Sequence, residues 1–459
     1  MENRGCAISM KEAKFETHEL FFSITDQAST ILSGNEVFIR ISGYKKEELI
    51  GQFHNIIRHP DMPQVVFKTL WDHLKNDEPV VAYVKNKTKE GGYYWVLAAV
   101  FPLGDRYISI RIKPNSPIFM AVREIYFKLL MSENKGGMSA SEPLLVDLLS
   151  ELGYHGYDHF MADALLSELS ERKKLLRNPE VDSELLLQHN SPLSNVLNRL
   201  LGESHILTHQ YQQWFDKIDM FKSVKSTFEE KGLMLRYLAR DIVFLSLNAS
   251  VASYKVANGG ETFGVLASDI RINAKENDRL ISNIHTLSQS LSDILNELIF
   301  AVSATRIQIE MLTYFIKEAL KGCNHICVIE LSKNLDTLIE LVLVYTEKLT
   351  TLQLKMDTFI HESLKYLNQL EQQVLYLGYI QVYGIIEAAS NSDETVGFGG
   401  IFSQLKELIR STSEEISHMQ KLGGNFYTEN RNLIRESENI SAVIEQFRLE
   451  TERIKIMDV

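Results

Sequence analysis

Only three cysteines, Cys6, Cys323 and Cys327, occur among 459 residues. They are too few and too unevenly placed for a disulfide framework, which fits a reducing compartment, so a cytoplasmic protein is expected. Basic residues are also short: 48 Lys and Arg stand against 60 Asp and Glu, a formal net charge of −12. That balance offers no stripe of cations for a run of phosphates and argues against a nucleic-acid partner. Met1 to Phe15 scatters its charges and has no apolar core, so it does not read as a signal peptide. Long apolar runs are lacking as well. Leu341–Tyr345 is short and Leu298–Ile316 is interrupted by Arg306 and Glu310, whereas a spanning helix needs about 20 apolar residues, so no membrane span is expected. Catalytic signatures are missing too, with no phosphate-cradling glycine loop, nucleophile elbow, zincin motif or kinase signature. Cys323-Asn-His325-Ile-Cys327 is the one thiol-rich cluster, and nothing nearby supplies a fourth zinc ligand. Neither an enzyme nor a metal site is expected.

What is present is ordinary globular composition, 45% hydrophobic and 24% charged, long enough for two or three domains. From Phe21 to Lys113, short β-type runs alternate with short helical ones. Phe22–Asp26 and Thr30–Ser33 read as paired strands, and Val81–Val84, Tyr93–Phe101 and Tyr107–Ile112 as three more. Gly91-Gly92 between two such runs signals a hairpin, because glycine tolerates the positive φ of tight turns. Five strands with a few helices make one small α+β domain.

Within it lie Gly43-Tyr44, Glu47-Glu48-Leu49-Ile50-Gly51-Gln52, His54-Asn55-Ile56 and Arg58-His59-Pro60-Asp61-Met62-Pro63. Phe67, Leu70-Trp71, Glu78-Pro79, Val84-Lys85-Asn86 and Gly91-Gly92-Tyr93-Tyr94-Trp95-Val96 follow. Together these resemble the PAS domain of aerotaxis receptors over about 95 residues, placed at 18–115. The resemblance implies FAD in some members, haem in others and no ligand in yet others. Carried over residue by residue, the flavin-associated positions are Asn35, Arg58, His59 and Asp61. Two features depart from the family: Val80 stands where it has tryptophan, and the loop between Phe101 and Tyr107 is several residues shorter. Read as plain chemistry, Asp61 could instead cap a helix and His59 satisfy a backbone carbonyl. Arg58 could stabilise a reduced, anionic ring, while haem would require His54, His59 or His73 as an axial ligand.

After Pro114 the apolar period lengthens to three and four. A helical connector is expected over 116–189, broken at Gly136-Gly137, Gly153–Gly156 and Asn178-Pro179. Leu245-Ser-Leu-Asn248-Ala249-Ser250-Val251 through Phe263-Gly-Val-Leu-Ala267-Ser-Asp269-Ile-Arg271 then resembles, without a gap, the signalling hairpin of methyl-accepting chemotaxis receptors. A second copy sits at Ile386–Ala389, Asn391–Thr395, Gly397–Ile401 and Leu405-Lys406. Phe263 and Phe398 align at an offset of 398 − 263 = 135 residues, so a supersecondary unit is duplicated.

The offset makes a geometric prediction. Hairpin tips near Asn258 and Asp393 put the turn between copies near Lys321–Asn324, and equal arms reach back to Asn190-Ser191-Pro192, a helix-start signature. The expected domains are therefore hairpins at 190–322 and 323–459, four arms each roughly 100 Å long. They would form an all-α, long antiparallel four-helix coiled-coil bundle, a pseudo-dimer within one chain, along seams such as Leu280, Ile284, Leu287, Leu291 and Leu295. Coincidental coiled-coil similarity is the alternative. In the receptor family, tip residues contact neighbouring receptors and the kinase adaptor. The positions carried over are Asn248, Lys255, Asn258 and Glu387, and Ala252 stands where the family has Glu. The expected function is a cytoplasmic signal transducer that senses redox, oxygen or a small ligand, with the chemoreceptor array, chemotaxis kinase or adaptor as partners. The alternative is a cofactor-free PAS interaction or scaffold protein.

Overall fold

The computed structural model describes residues 11–176, 191–254, 260–322, 327–390 and 398–456. Five strands open the chain: β1 (Phe21–Asp26), β2 (Ile31–Gly34), β3 (Val80–Lys87), β4 (Tyr93–Leu103) and β5 (Arg106–Ile112). They form one antiparallel sheet in the order β2-β1-β5-β4-β3. Between β2 and β3 lie α1 (Glu36–Ser42), α2 (Lys46–Leu49), a 3-10 turn (His54–Ile57) and α3 (Gln64–Lys75). Gly91 closes the β3–β4 hairpin at φ +85°, and Gly104 at φ +59° closes the tight β4–β5 turn that replaces the longer family loop.

The sheet is an α+β PAS-type layer, and long helices follow it. First come α4 (Pro117–Gly136), α5 (Met138–Glu151) and α6 (Tyr157–Leu175), broken at the expected glycines. Then come α7 (Pro192–Asp216), α8 (Ile218–Ser253), α9 (Gly260–Gly322), α10 (Val328–Ser390) and α11 (Phe398–Ile456). One difference from the expectation is local. The first arm is interrupted at Lys217 into α7 and α8, whereas α10, its counterpart in the second copy, runs unbroken for 63 residues. The expected tips at Asn258 and Asp393 lie outside the described residues, as do Lys255, the Asn178-Pro179 break and, of the turn expected near Lys321–Asn324, all but Lys321 and Gly322, which end α9.

The described chain forms two compact units. The first comprises residues up to Asp216, Ile299–Leu349 and those from Ser437 on, and the second Lys217–Leu298 with Thr350–Glu436. In the first, the sheet is buried on both faces. Its back face rests on helices: Phe22 of β1 meets Phe315 of α9 edge-on at 5.2 Å, Phe101 of β4 meets Tyr345 of α10 at 5.2 Å, and Tyr83 of β3 stacks on Phe119 of α4. Such aromatic pairs add about 0.5–1.5 kcal/mol beyond their buried area. Within Glu261–Gly322 lies the one described segment long and apolar enough to cross a membrane, and 89% of its most apolar window is buried in the protein. Arg306 and Glu310 interrupt it, and they are paired: Glu310 receives Arg306 at 2.9 Å and Arg172 of α6 at 3.1 Å. Burial alone would raise the Glu310 pKa, but the two guanidiniums outweigh it and hold the carboxyl below its usual range.

In the second unit the core is repeated at the 135-residue offset. Ile242 and Leu377, Leu245 and Ile380, Phe263 and Phe398, and Ile270 and Leu405 all belong to one buried cluster. Phe263 and Phe398 stack with ring centroids 4.1 Å apart. Of the seam read from sequence, Leu280, Ile284, Leu291 and Leu295 are buried and Leu287 is half-buried. Gly384 of α10 faces the Phe402 ring so closely that a Cβ there would collide with it, while Gly378 on the same helix has open space. Gly384→Ala is expected to lower stability by about 1–3 kcal/mol through overpacking. Gly378→Ala should raise it by up to about 1 kcal/mol through helix propensity. Chemical denaturation of both variants checks the pair, and equal effects would contradict the packing described.

Candidate functional site

β5 reads Tyr107-Ile108-Ser109-Ile110-Arg111-Ile112, a strict alternation that puts three polar side chains on one face and three isoleucines on the other. β5 is central, paired with β1 on one side and β4 on the other, and its polar face is covered by helices, so that Tyr107, Ser109 and Arg111 are all buried. It lines a cavity of about 140 Å³ between the sheet and the inner helices. Ser23 and Thr25 of β1, Asn86 of β3, and Ser109 and Arg111 of β5 form the polar floor. Phe67, Leu70, Trp71 and Leu74 of α3 form an apolar wall, and His54, Asn55 and Arg58 close the end.

Arg111 dominates the electrostatics. Its side chain is 3% exposed; Nη2 donates to Ser23 Oγ at 2.9 Å and to His54 Nε2 at 2.7 Å, and the guanidinium lies over Phe38 and Phe21. No carboxylate neutralises it among the described residues, and burial presses its pKa down to about 10, so it stays charged at neutral pH. His54 is driven down to about 3, first by burial and then by the Arg111 charge, which fixes it as a neutral acceptor. Arg111 Nη1 and Ser109 Oγ are buried with no hydrogen-bond partner, and Asn86 Nδ2 has at most the neighbouring Tyr94 hydroxyl. A buried donor left unpaired costs about 1–3 kcal/mol, which a group accepting from Arg111 and Ser109, ordered water or a ligand, would recover.

The four positions carried over by resemblance go to three different places. Arg58 stands at the mouth, its guanidinium 4.0 Å from the Phe67 ring centroid and Nη2 donating to Met62 O at 3.4 Å. His59 is buried just outside, lining a second, more open basin of about 570 Å³ with Tyr44, Lys87 and Lys89; Asn55 and Arg58 border both spaces. The Asp61 amide donates to His59 Nδ1 at 3.1 Å, and His59 Nε2 has no partner. Burial, then Lys85, lowers its pKa and keeps it neutral. Asp61 is exposed, paired with Lys85 at 2.6 Å, and lines neither space. Asn35 does not line the cavity either: its side chain accepts from Phe22 N and donates to Leu20 O and to Glu318 of α9.

His73 bonds Thr69 O and Asp158, both at 2.8 Å, away from the cavity. Of the tip positions, Asn248 is exposed on α8 and Glu387 half-buried on α10, and Lys255 and Asn258 lie outside the described residues. Sequence reasoning passed over Arg111, Ser109 and Asn86. The available signal was the polar face of β5, a period-two pattern on a strand too apolar on its other side to be an edge.

Residues 31–109 match the PAS fold family. This segment is a PAS domain. The PAS domain is similar to part of the aerotaxis receptor of Escherichia coli, 41% identical over 109 residues, 23% of this chain and 22% of that protein. It is also similar to the nitrogen fixation regulatory protein of Klebsiella oxytoca, 25% identical over 88 residues, 19% of this chain and 18% of that protein. The chain thus matches about a fifth of the length of these relatives. Among solved structures, a LOV domain from a blue-light activated histidine kinase of Erythrobacter litoralis is 18% identical, with a TM-score of 0.20, covering 20% of this chain and 94% of that one.

The uncompensated cation yields a prediction. Arg111→Met keeps the volume, removes the buried charge and leaves Ser23 Oγ and His54 Nε2, now 3.4 Å apart, to pair with each other. The ligand-free protein is expected to gain about 1–3 kcal/mol in denaturant unfolding, while losing capacity to bind an acceptor-rich ligand. A loss of stability would mean that Arg111 serves the fold and not a ligand.

Proposed function

We propose that this protein is a cytoplasmic signal transducer whose PAS domain holds a planar, acceptor-rich ligand of the flavin class and relays its state to the helical bundle. The carrying observation is the cavity floor, where Arg111 Nη1 and Ser109 Oγ stand buried and unpartnered, with the Asn86 amide beside them, against an apolar wall that includes Trp71 and Phe67. Those donors suit the polar edge of a heteroaromatic ring, and the aromatic wall suits its face. The inner cavity by itself matches one six-membered ring, since about 150 Å³ accommodates benzene. A larger ring system would extend past Asn55 and Arg58 into the basin, where Lys87 and Lys89 suit a phosphate tail. A bound flavin would supply reversible redox chemistry; Arg111 would favour the more negative form by holding a positive charge in a buried site.

The relay is supported by the sheet itself, because the strands that line the cavity rest their other face on α9 and α10. The ligand must interact differently with two arrangements of these layers to shift their population. The repeated core of the second unit, with Phe263 stacked on Phe398, supports a pseudo-dimeric bundle, since residues equivalent under a two-fold meet near its axis. The similarity to the aerotaxis receptor supports the chemoreceptor array, kinase or adaptor as partners, and a non-enzymatic output.

An absorption spectrum of the purified full-length protein, with denaturing extraction, tests the reading. A flavin spectrum is expected, reduced at least tenfold in occupancy by Arg111→Met and by Asn86→Ala. Asp61→Ala, outside both spaces, should change it little. A colourless protein that also fails to take up added FAD would sink the flavin reading and favour a cofactor-free interaction module. A Soret band would sink it too, and would direct attention to the histidines.

A further inference from the structure

We propose that Glu318 of α9, together with Asn35, forms a proton-sensitive latch that holds the start of α1 and so fastens the PAS domain to the bundle. The inference is independent of which ligand occupies the cavity. The start of α1 lacks a side-chain cap of its own, because the Asn35 side chain makes no capping hydrogen bond and is engaged elsewhere. Asn35 Oδ1 accepts from Phe22 N at 3.2 Å, and Nδ2 donates to Leu20 O at 3.2 Å and to Glu318 Oε2 at 3.0 Å. The Glu318 carboxyl lies beside that open start, where the backbone amides of Val37 and Glu36 favour its charged form. One acid from a helix some 280 residues away thus faces the orphan amides of α1, and Asn35, bonded to it at 3.0 Å, ties it to β1, the strand that carries Ser23 into the cavity.

The surroundings give this acid no counter-charge. On α1, Glu36 repels it and Arg40 is paired with Glu19. On α9, Tyr314 lies one turn away, and Arg172 of α6 is held by Glu310. Burial therefore dominates over the hydrogen bonds and raises the Glu318 pKa to about 7. The sign follows by linkage. Docked, Glu318 keeps its proton up to about pH 7, whereas released into water it ionises at its ordinary 4.5. The docked state therefore binds more protons between those values and loosens as pH rises. Between those two values opening becomes about tenfold more frequent per pH unit, and it levels off above the docked value, which leaves roughly tenfold between pH 6 and pH 8.

Hydrogen exchange on the full-length protein, corrected for the intrinsic pH dependence of exchange, reads the latch directly. Segments over residues 33–44 and 312–322 are expected to lose about tenfold in protection from pH 6 to pH 8, while the central strands β4 and β5 stay constant. Glu318→Gln, neutral at every pH and of the same size, should abolish the pH dependence. Asn35→Ala should lower protection of residues 33–44 at both pH values. A flat wild-type profile would overturn the proposal, as would a Glu318→Gln profile that still falls tenfold. Should Asn35→Ala also strip protection from β4 and β5, its effect is on folding, and the comparison of wild type with Glu318→Gln decides. Ligand content, measured on the same samples, separates this outcome from failure of the flavin reading.

Discussion

A five-stranded sheet with two buried faces is the constraint from which the rest of this structure follows. A sheet buried on one side needs one partner layer, but this one needs two, and the two are chemically different. The cavity face carries Ser23, Asn86, Ser109 and Arg111 under the inner helices. The back face carries Phe22, Phe101 and Tyr83 against helices that follow the PAS domain in sequence. Side chains on a strand alternate between faces, so residues one position apart answer to the ligand site and to the bundle. Coupling between them needs no long pathway, because the sheet is only one layer thick.

A second physical theme recurs where helices of the PAS domain begin. Pro63 at the start of α3 offers no side-chain cap, and Gln64 N and Val65 N instead donate to Glu133 of α4 at 2.9 and 3.0 Å. At the entry to α4, Asn115 N and Ser116 N donate to Glu168 of α6, which also accepts from Ser116 Oγ and Tyr83 OH. Two carboxylates from later helices thus complete helix starts that local sequence leaves open, and at α1 Glu318 is held nearby by Asn35. The consequence is mechanical: α3, which walls the cavity, is tied at its first turn to α4 and near its last to Asp158 of α6 through His73.

The PAS strands were legible because alternation and turn chemistry are local. Tyr107–Ile112 announces its two faces by composition, and Gly91 and Gly104 mark the turns that need positive φ. The proposed duplication was read from self-comparison, and one buried cluster holds Ile242 with Leu377 and Ile270 with Leu405 at the offset that aligns Phe263 with Phe398. The break at Lys217 was not legible, since the apolar period continues through it from Phe215 to Ile218 and Phe221. Nor was the role of Arg111, because a single arginine in a strand reads the same whether it faces solvent or a closed cavity.

Sequence alone determined which segments form the sheet and that long helices follow it, because propensity and period act between neighbours. Tertiary structure alone decided which polar residues matter. Asn35 and Asp61 looked equivalent to Arg58 by resemblance, yet one reaches α9, one reaches solvent and one reaches the cavity mouth. The reason is that burial and charge compensation depend on what packs from far along the chain. Glu318 lies 283 positions from Asn35, and no local pattern states that the two will share a hydrogen bond.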